Sequence, residues 1–133
     1  MKHLLFIFCI LTASATSAQE MVKTRSNSVR VDTVILQGLN KITARVYNLE
    51  AEIGDTIKFG NLFIEVKNCW KAPPEETPEN AVLMDIKDIK SSDNGKTKRV
   101  FIGWMFSSSP AISGLEHPVY DIIPIECYDS KKR

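Results

Sequence analysis

The two runs Ala81-Val82-Leu83-Met84-Asp85-Ile86-Lys87-Asp88-Ile89 and Lys98-Arg99-Val100-Phe101-Ile102-Gly103-Trp104-Met105-Phe106 flank the segment Ser91-Ser92-Asp93-Asn94-Gly95-Lys96. Val82, Met84 and Ile86 recur every second residue in the first run. Val100, Ile102, Trp104 and Phe106 do so in the second. A period of two is that of a strand with one buried face. Asn94-Gly95 is a strong hairpin signal, because both residues tolerate the positive φ of a tight turn. Residues 81–89 and 98–106 are therefore expected to pair as a hairpin, with Trp104 on the core face. Gly103 within the second strand signals a bulge or a close backbone approach.

The same texture extends in both directions. Upstream, Leu62, Ile64, Val66 and Trp70 share a phase, with Glu65 and Lys67 opposite, so residues 62–70 read as a half-buried strand. Between it and the hairpin lies Lys71-Ala72-Pro73-Pro74-Glu75-Glu76-Thr77-Pro78-Glu79-Asn80. Its prolines exclude helix and central strand, which predicts an extended or polyproline-like surface loop. Short β-branched runs at residues 31–36, 42–49 and 56–59 are punctuated by Gly38-Leu39-Asn40, Gly54-Asp55 and Gly60-Asn61. Downstream, Ser107-Ser108-Ser109-Pro110 interrupts the pattern. Residues 119–128 form a last strand with apolar side chains on both faces, the mark of a central or well-covered position, although Pro124 argues the other way. Six to seven short strands with little helix define an all-β class, a small antiparallel sandwich or barrel.

The amino terminus differs. Met1-Lys2-His3 precedes the apolar stretch Leu4-Leu5-Phe6-Ile7-Phe8-Cys9-Ile10-Leu11 and then Thr12-Ala13-Ser14-Ala15-Thr16-Ser17-Ala18. A basic start, a short apolar run and small residues form a secretory signal peptide. The run is far below the about 20 residues that cross a bilayer. Residues 1–18 are expected to be cleaved near Ala18, residues 19–30 to be a flexible lead-in, residues 31–128 a single β domain and residues 129–133 a frayed basic tail. No segment of the mature chain reads as a membrane span. The expected location is the periplasm.

Export changes the arithmetic. Of the 17 Lys and Arg and 16 Asp and Glu, the leader takes only Lys2, so the mature chain is neutral. It offers no basic face for nucleic acid. Of the 3 cysteines, Cys9 leaves with the leader and Cys69 and Cys127 remain. In an oxidising compartment such a pair is expected to form a disulfide.

Chemistry-bearing constellations are thin. His117 is the sole histidine of the mature chain, with Glu116 and Asp121 beside it and Ser107, Ser108 and Ser109 upstream. Serine, histidine and carboxylate are the ingredients of nucleophilic hydrolysis, so a small hydrolase using His117 with Ser108 or Asp121 is the alternative reading. No Gly-x-Ser-x-Gly elbow surrounds these serines. One histidine and a bridged cysteine pair supply no zinc site. Neither Glu75, Glu76 and Glu79 nor Asp93-Asn94-Gly95 completes a calcium loop. No metal or other cofactor is called for. The leading expectation is a binding or structural domain without chemistry of its own, whose partner is an envelope protein or a glycan. Its candidate surface joins Trp70, Pro73, Pro74, Glu75 and Glu76 to Ser108, His117 and Tyr120. Trp70 either packs on the disulfide or stands as a stacking platform.

Three runs carry a family resemblance: Pro73-Pro74-Glu75-Glu76-Thr77-Pro78-Glu79, Gly103-Trp104-Met105-Phe106-Ser107-Ser108-Ser109-Pro110, and Glu116-His117-Pro118-Val119-Tyr120-Asp121. With Gly38-Leu39-Asn40-Lys41, Phe59-Gly60 and Cys69, they resemble the exported alphaproteobacterial family known as domain of unknown function 2155, over about residues 34–127. Ala44 departs from that pattern, which places a turn glycine there. The resemblance implies a cell-envelope home in a Gram-negative bacterium. It implies no activity.

Overall fold

A computed structural model of the chain describes residues 29–89 and 94–133. The expected signal peptide and most of the lead-in lie outside the described residues. Seven strands form: β1 (Thr33–Asn40), β2 (Arg45–Glu52), β3 (Thr56–Phe59), β4 (Leu62–Lys71), β5 (Asn80–Ile89), β6 (Thr97–Phe106) and β7 (Tyr120–Tyr128). They make two antiparallel sheets, β2-β1-β7 and β3-β4-β5-β6. Sandwich, rather than closed barrel, is the outcome.

The core lies between the sheets. Val34, Leu36, Ala51, Ile122 and Cys127 come from the first sheet. Leu62, Ile64, Val66, Val82, Met84, Ile86 and Met105 come from the second. Each fully buried aliphatic chain contributes about 1.5–3 kcal/mol. Residues 107–119 cross from one sheet to the other, and Leu115 of this crossover is buried against the core.

Three β-bulges decide which side chains join that core. Register shifts fall between Val66 and Asn68 on β4, opposite Ile86 and Lys87 on β6, and opposite Ile35 and Leu36 on β7. The supernumerary residues are Lys67, Val100 and Ile125. Because side chains alternate, one extra residue exchanges the faces beyond it. On β4, Leu62, Ile64 and Val66 point inward as expected, but past Lys67 it is Cys69 that is buried and Trp70 that turns outward. On β6, Met105 is fully buried while Trp104 and Ile102 are 38% and 57% exposed. The expectation that Trp104 occupies the core is thereby corrected. On β7, Ile122 and Cys127 are buried and Ile125 faces solvent. β7 pairs with β1 alone and is an edge strand, not a central one, in keeping with Pro124. Cys69 and Cys127 form the expected disulfide, with Cα atoms 6.3 Å apart, and it ties the two sheets together.

Two turns also differ from expectation. β1 runs through Gly38, and the β1–β2 turn falls at residues 41–44, where the Asn40 side chain accepts from the N–H groups of Ile42 and Thr43. Ala44 there has a φ of +55°, a left-handed conformation that costs an L-residue about 1–2 kcal/mol. The proline segment is not an extended strip. The Ala72 N–H donates to the Glu79 carbonyl, closing the β4–β5 loop, and the Glu76 N–H donates to the Pro73 carbonyl. Pro74 thus occupies the turn position that its fixed φ suits. The carboxyl-terminal residues are exposed, and Ser130 is tied by hydrogen bonds to Asp32. Asp32 accepts from the Ser130 hydroxyl and N–H and from the Thr33 hydroxyl, which lowers its pKa to about 2.

Candidate functional site

The residues singled out from the sequence sort to opposite ends of the four-stranded sheet. β5 sets the distance. Asn80 and Asp88 stand eight positions apart on one strand, or roughly 26 Å at a strand's rise.

At the Asn80 end, Glu79 gathers the proline loop and the serines. Its carboxylate accepts from the Ser107 hydroxyl, the Ser108 N–H and the Ser108 hydroxyl. Partial burial pushes its pKa up. The bonds from Ser108, then Ser107 and Asn80, outweigh burial and hold it below the usual glutamate range. Pro74, Glu75 and Glu76 are exposed nearby, while Pro73 is buried. The disulfide lies at this end too, where the Cys127 N–H donates to the Asn80 side chain.

At the Asp88 end, the chain assembles a row of rings. Tyr47 packs edge-on against Phe59 at 5.7 Å, and Phe59 edge-on against Tyr120 at 5.3 Å. Tyr120 stacks on His117 at 5.4 Å. Two glycines make room for the row. A Cβ on Gly38 would lie 2.8 Å from the Phe59 ring, and one on Gly60, whose φ is +58°, would collide with the Tyr120 ring. These are the roles of Gly38 and Phe59-Gly60, neither of which marks its position by any pattern of polarity.

His117 is the polar centre of this end. Its Nδ1 accepts from the N–H groups of Val119 and Tyr120, each at 3.1 Å. An acceptor at Nδ1 carries no proton, so the ring proton sits on Nε2. Nε2 lies 3.1 Å from Asp88 Oδ2 and donates to it. The side chains of His117 and Asp88 are only 8% and 6% exposed. The His117 carbonyl accepts from Lys41 Nζ at 2.8 Å. Asp88 follows Val82, Met84 and Ile86 on the inward phase of β5. An acid on an apolar phase signals a buried carboxylate that needs a donor.

His117, Tyr120 and Asp88 wall a cavity of about 340 Å³, lined also by Asn61, Lys98, Val100, Glu116, Pro118 and Val119. Ser108 is not part of it. Ser108 and His117 are not brought together: Glu79 accepts from the serine at the far end of β5, and both ring nitrogens have hydrogen-bond partners. The Asp121 carboxylate accepts from the Ile122 N–H, and the carboxylate on the His117 ring is that of Asp88. The single surface expected from the proline loop to Tyr120 is instead two. Trp70, the proline loop and Ser108 form one, and His117 and Tyr120 the other. Trp70 lies on the outer face, whereas Cys69 of the disulfide lies on the inner one, so the indole does not share the bridge's face. Among the described residues, no cluster of His, Cys, Asp and Glu is placed to hold a metal ion, and no helix is long and apolar enough to cross a membrane.

The model of the family described as "Uncharacterized protein conserved in bacteria (DUF2155)" matches residues 34–127. An uncharacterized protein of Rickettsia prowazekii (strain Madrid E), RP359, is 36% identical over 90 residues, covering 68% of this chain and 57% of that relative. The chain therefore spans little more than half the length of the curated relative it matches. No solved structure matches. The matched range encloses both ends of the sandwich, from Val34 beside the bridge to Cys127 within it. The chain belongs to this family.

Proposed function

For a member of this family of uncharacterized bacterial proteins, we propose the role of an exported, disulfide-tied recognition domain of the cell envelope. It binds another envelope component, protein or glycan, at the cavity beside His117, and performs no chemistry there. The observation that carries this reading is the state of His117. A general base needs a free lone pair directed at its substrate. The Nδ1 lone pair is taken by two backbone N–H groups, and the Nε2 proton is directed at Asp88. The ring is a fixed wall. The cavity's remaining groups, Asn61, Lys98 and Glu116 over the apolar Val100, Pro118 and Tyr120, match the usual make-up of a binding pocket, mostly apolar with a few polar anchors. Export, inferred from residues 1–18, supports the envelope setting.

Affinity capture from periplasmic extract, with and without cross-linker, tests this. The wild-type domain is expected to retain a partner that a Lys98→Glu, Glu116→Lys variant releases. Retention by both proteins, or by neither, overturns the assignment of the cavity. Sequencing the amino terminus of the secreted protein is expected to begin at Gln19. A protein recovered with Met1 intact refutes export by cleavage.

A further inference from the structure

The outer face of the four-stranded sheet carries a second feature, distinct from the cavity. Residues opposite one another in an antiparallel pair share a face. Trp70 stands opposite Ala81, and Ala81 opposite Phe106; Leu83 stands opposite Trp104. These side chains lie on the side away from the core. The result is an apolar strip of Trp70, Leu83, Ile102, Trp104 and Phe106, of which Ile102 and Trp104 are the most exposed, at 57% and 38%. The other half of the same face is polar: Asp85 receives both Nε and Nη2 of Arg99 at 2.9 Å.

The strip ends at an open strand edge. β6 is the last strand of its sheet. Among the described residues, no backbone hydrogen bond reaches its outer edge from the crossover or any loop. Proteins guard such edges with charges and bulges. Here Lys98, Arg99 and the Val100 bulge guard the first half of β6 and leave the stretch from Phe101 to Phe106 uncharged and fully paired to β5, with Gly103 alone at a positive φ of +152°.

We infer that this edge pairs with the β6 of a second copy of the chain, antiparallel about a two-fold axis through Trp104. Charge decides for a second copy. One end of the strip carries the exposed Lys96 and Lys98, the Arg99 charge being taken by Asp85, and the other carries the exposed Glu75 and Glu76 of the proline loop. Antiparallel self-pairing lays the basic end of each copy against the acidic end of the other, and the near-neutral chain, formally +1 with its leader, adds no net repulsion. With the axis at Trp104, the two indoles face each other. Ile102 faces Phe106 of the second copy, so every outward pair between Ile102 and Phe106 is apolar. Ile102 and Trp104 do not line the cavity, so their variants test this contact separately from what the cavity binds.

Sedimentation of the oxidised mature protein across the micromolar to millimolar range tests the pairing. A concentration-dependent dimer is expected. Ile102→Lys and Trp104→Lys are each expected to weaken it by more than about tenfold, since each sets an ammonium against an apolar partner or against its own copy. Ile42→Lys, at the distant β1–β2 turn, leaves it intact. Trp104→Cys is expected to give a covalent dimer under mild oxidation. The Ile102 side chain is exposed, so its variant retains the wild-type thermal midpoint, and it decides the matter if either Trp104 variant misfolds. A wild-type protein that stays monomeric throughout overturns the proposal, even if it captures an extended peptide. So does a dimer indifferent to Ile102→Lys, or one whose folded Trp104→Cys variant does not cross-link.

Discussion

Replacing His117 with phenylalanine keeps a ring stacked on Tyr120 and deletes both nitrogens. The loss is readable from the partners. The N–H groups of Val119 and Tyr120 lose their acceptor, and the buried Asp88 carboxylate loses its donor. Each half-buried N–H left without a partner costs about 1 kcal/mol, and stranding one member of a buried pair costs about 3–5 kcal/mol. A total of about 4 kcal/mol is the working figure, because Lys98, opposite Asp88 on β6, softens the stranded charge. At roughly 4 °C per kcal/mol for a domain of this size, the thermal midpoint falls by about 15 °C. The double variant His117→Phe, Asp88→Leu is expected to regain about 1–3 kcal/mol over the single one, because the uncompensated charge is gone. Urea denaturation of the wild type, both single variants and the double variant completes the cycle. Nitrogen-15 correlation spectra of the wild-type imidazole are expected to show the proton on Nε2. A single variant within about 1 kcal/mol of wild type, or strictly additive effects, refutes the view of His117 as a structural wall.

Opening the Cys69–Cys127 bridge, by substituting both cysteines with alanine, releases a constraint between residues 58 apart; the chain-entropy model then gives a loss of about 4 kcal/mol, measured as the shift in urea midpoint. Gly60→Ala is expected to cost about 2–4 kcal/mol, since it combines a φ of +58° with a collision against Tyr120, and thermal unfolding reads it directly. Ala44→Gly relieves a φ of +55° and is expected to stabilise by about 0.5–1 kcal/mol in the same assay. Ser108→Ala removes a hydroxyl that lowers the Glu79 pKa. A lowered carboxylate stabilises the fold above its unfolded value of about 4.3, and that contribution disappears as pH falls through the folded value. The variant is therefore expected to lose about 1 kcal/mol at pH 7 and nothing once both states are protonated, in urea titrations at several pH values.

All seven strands are legible in the sequence, because alternation and Gly, Pro and Asn punctuation are local signals. What is not legible is the phase beyond a bulge. Leu62, Ile64 and Val66 read correctly; Trp70, past Lys67, does not. The same holds for Trp104 past Val100. An extra residue leaves no mark in composition, since its cause is pairing with a strand elsewhere in the chain. Gly38 looks like a turn because nothing in residues 33–40 says that the Phe59 ring will lie on it. At the site, His117 and Tyr120 stand out by type and position, and Asp88 could have been found as a carboxylate on an apolar phase. Lys41 and Gly60 could not, because their roles exist only once the rings have stacked.

The bulges at Lys67 and Ile125 also bear on how the bridge forms. Each cysteine lies an odd number of residues beyond the last inward side chain of its regular stretch, so it points inward only if its own strand has gained its extra residue. A chain that zips β4 or β7 in the unbulged register still buries Leu62, Ile64 and Ile122, yet it turns one thiol to solvent on the far side of a sheet. The two sulfurs then cannot meet. Closure of the bridge is thus a check on register: it can form only in chains where both bulges are in place.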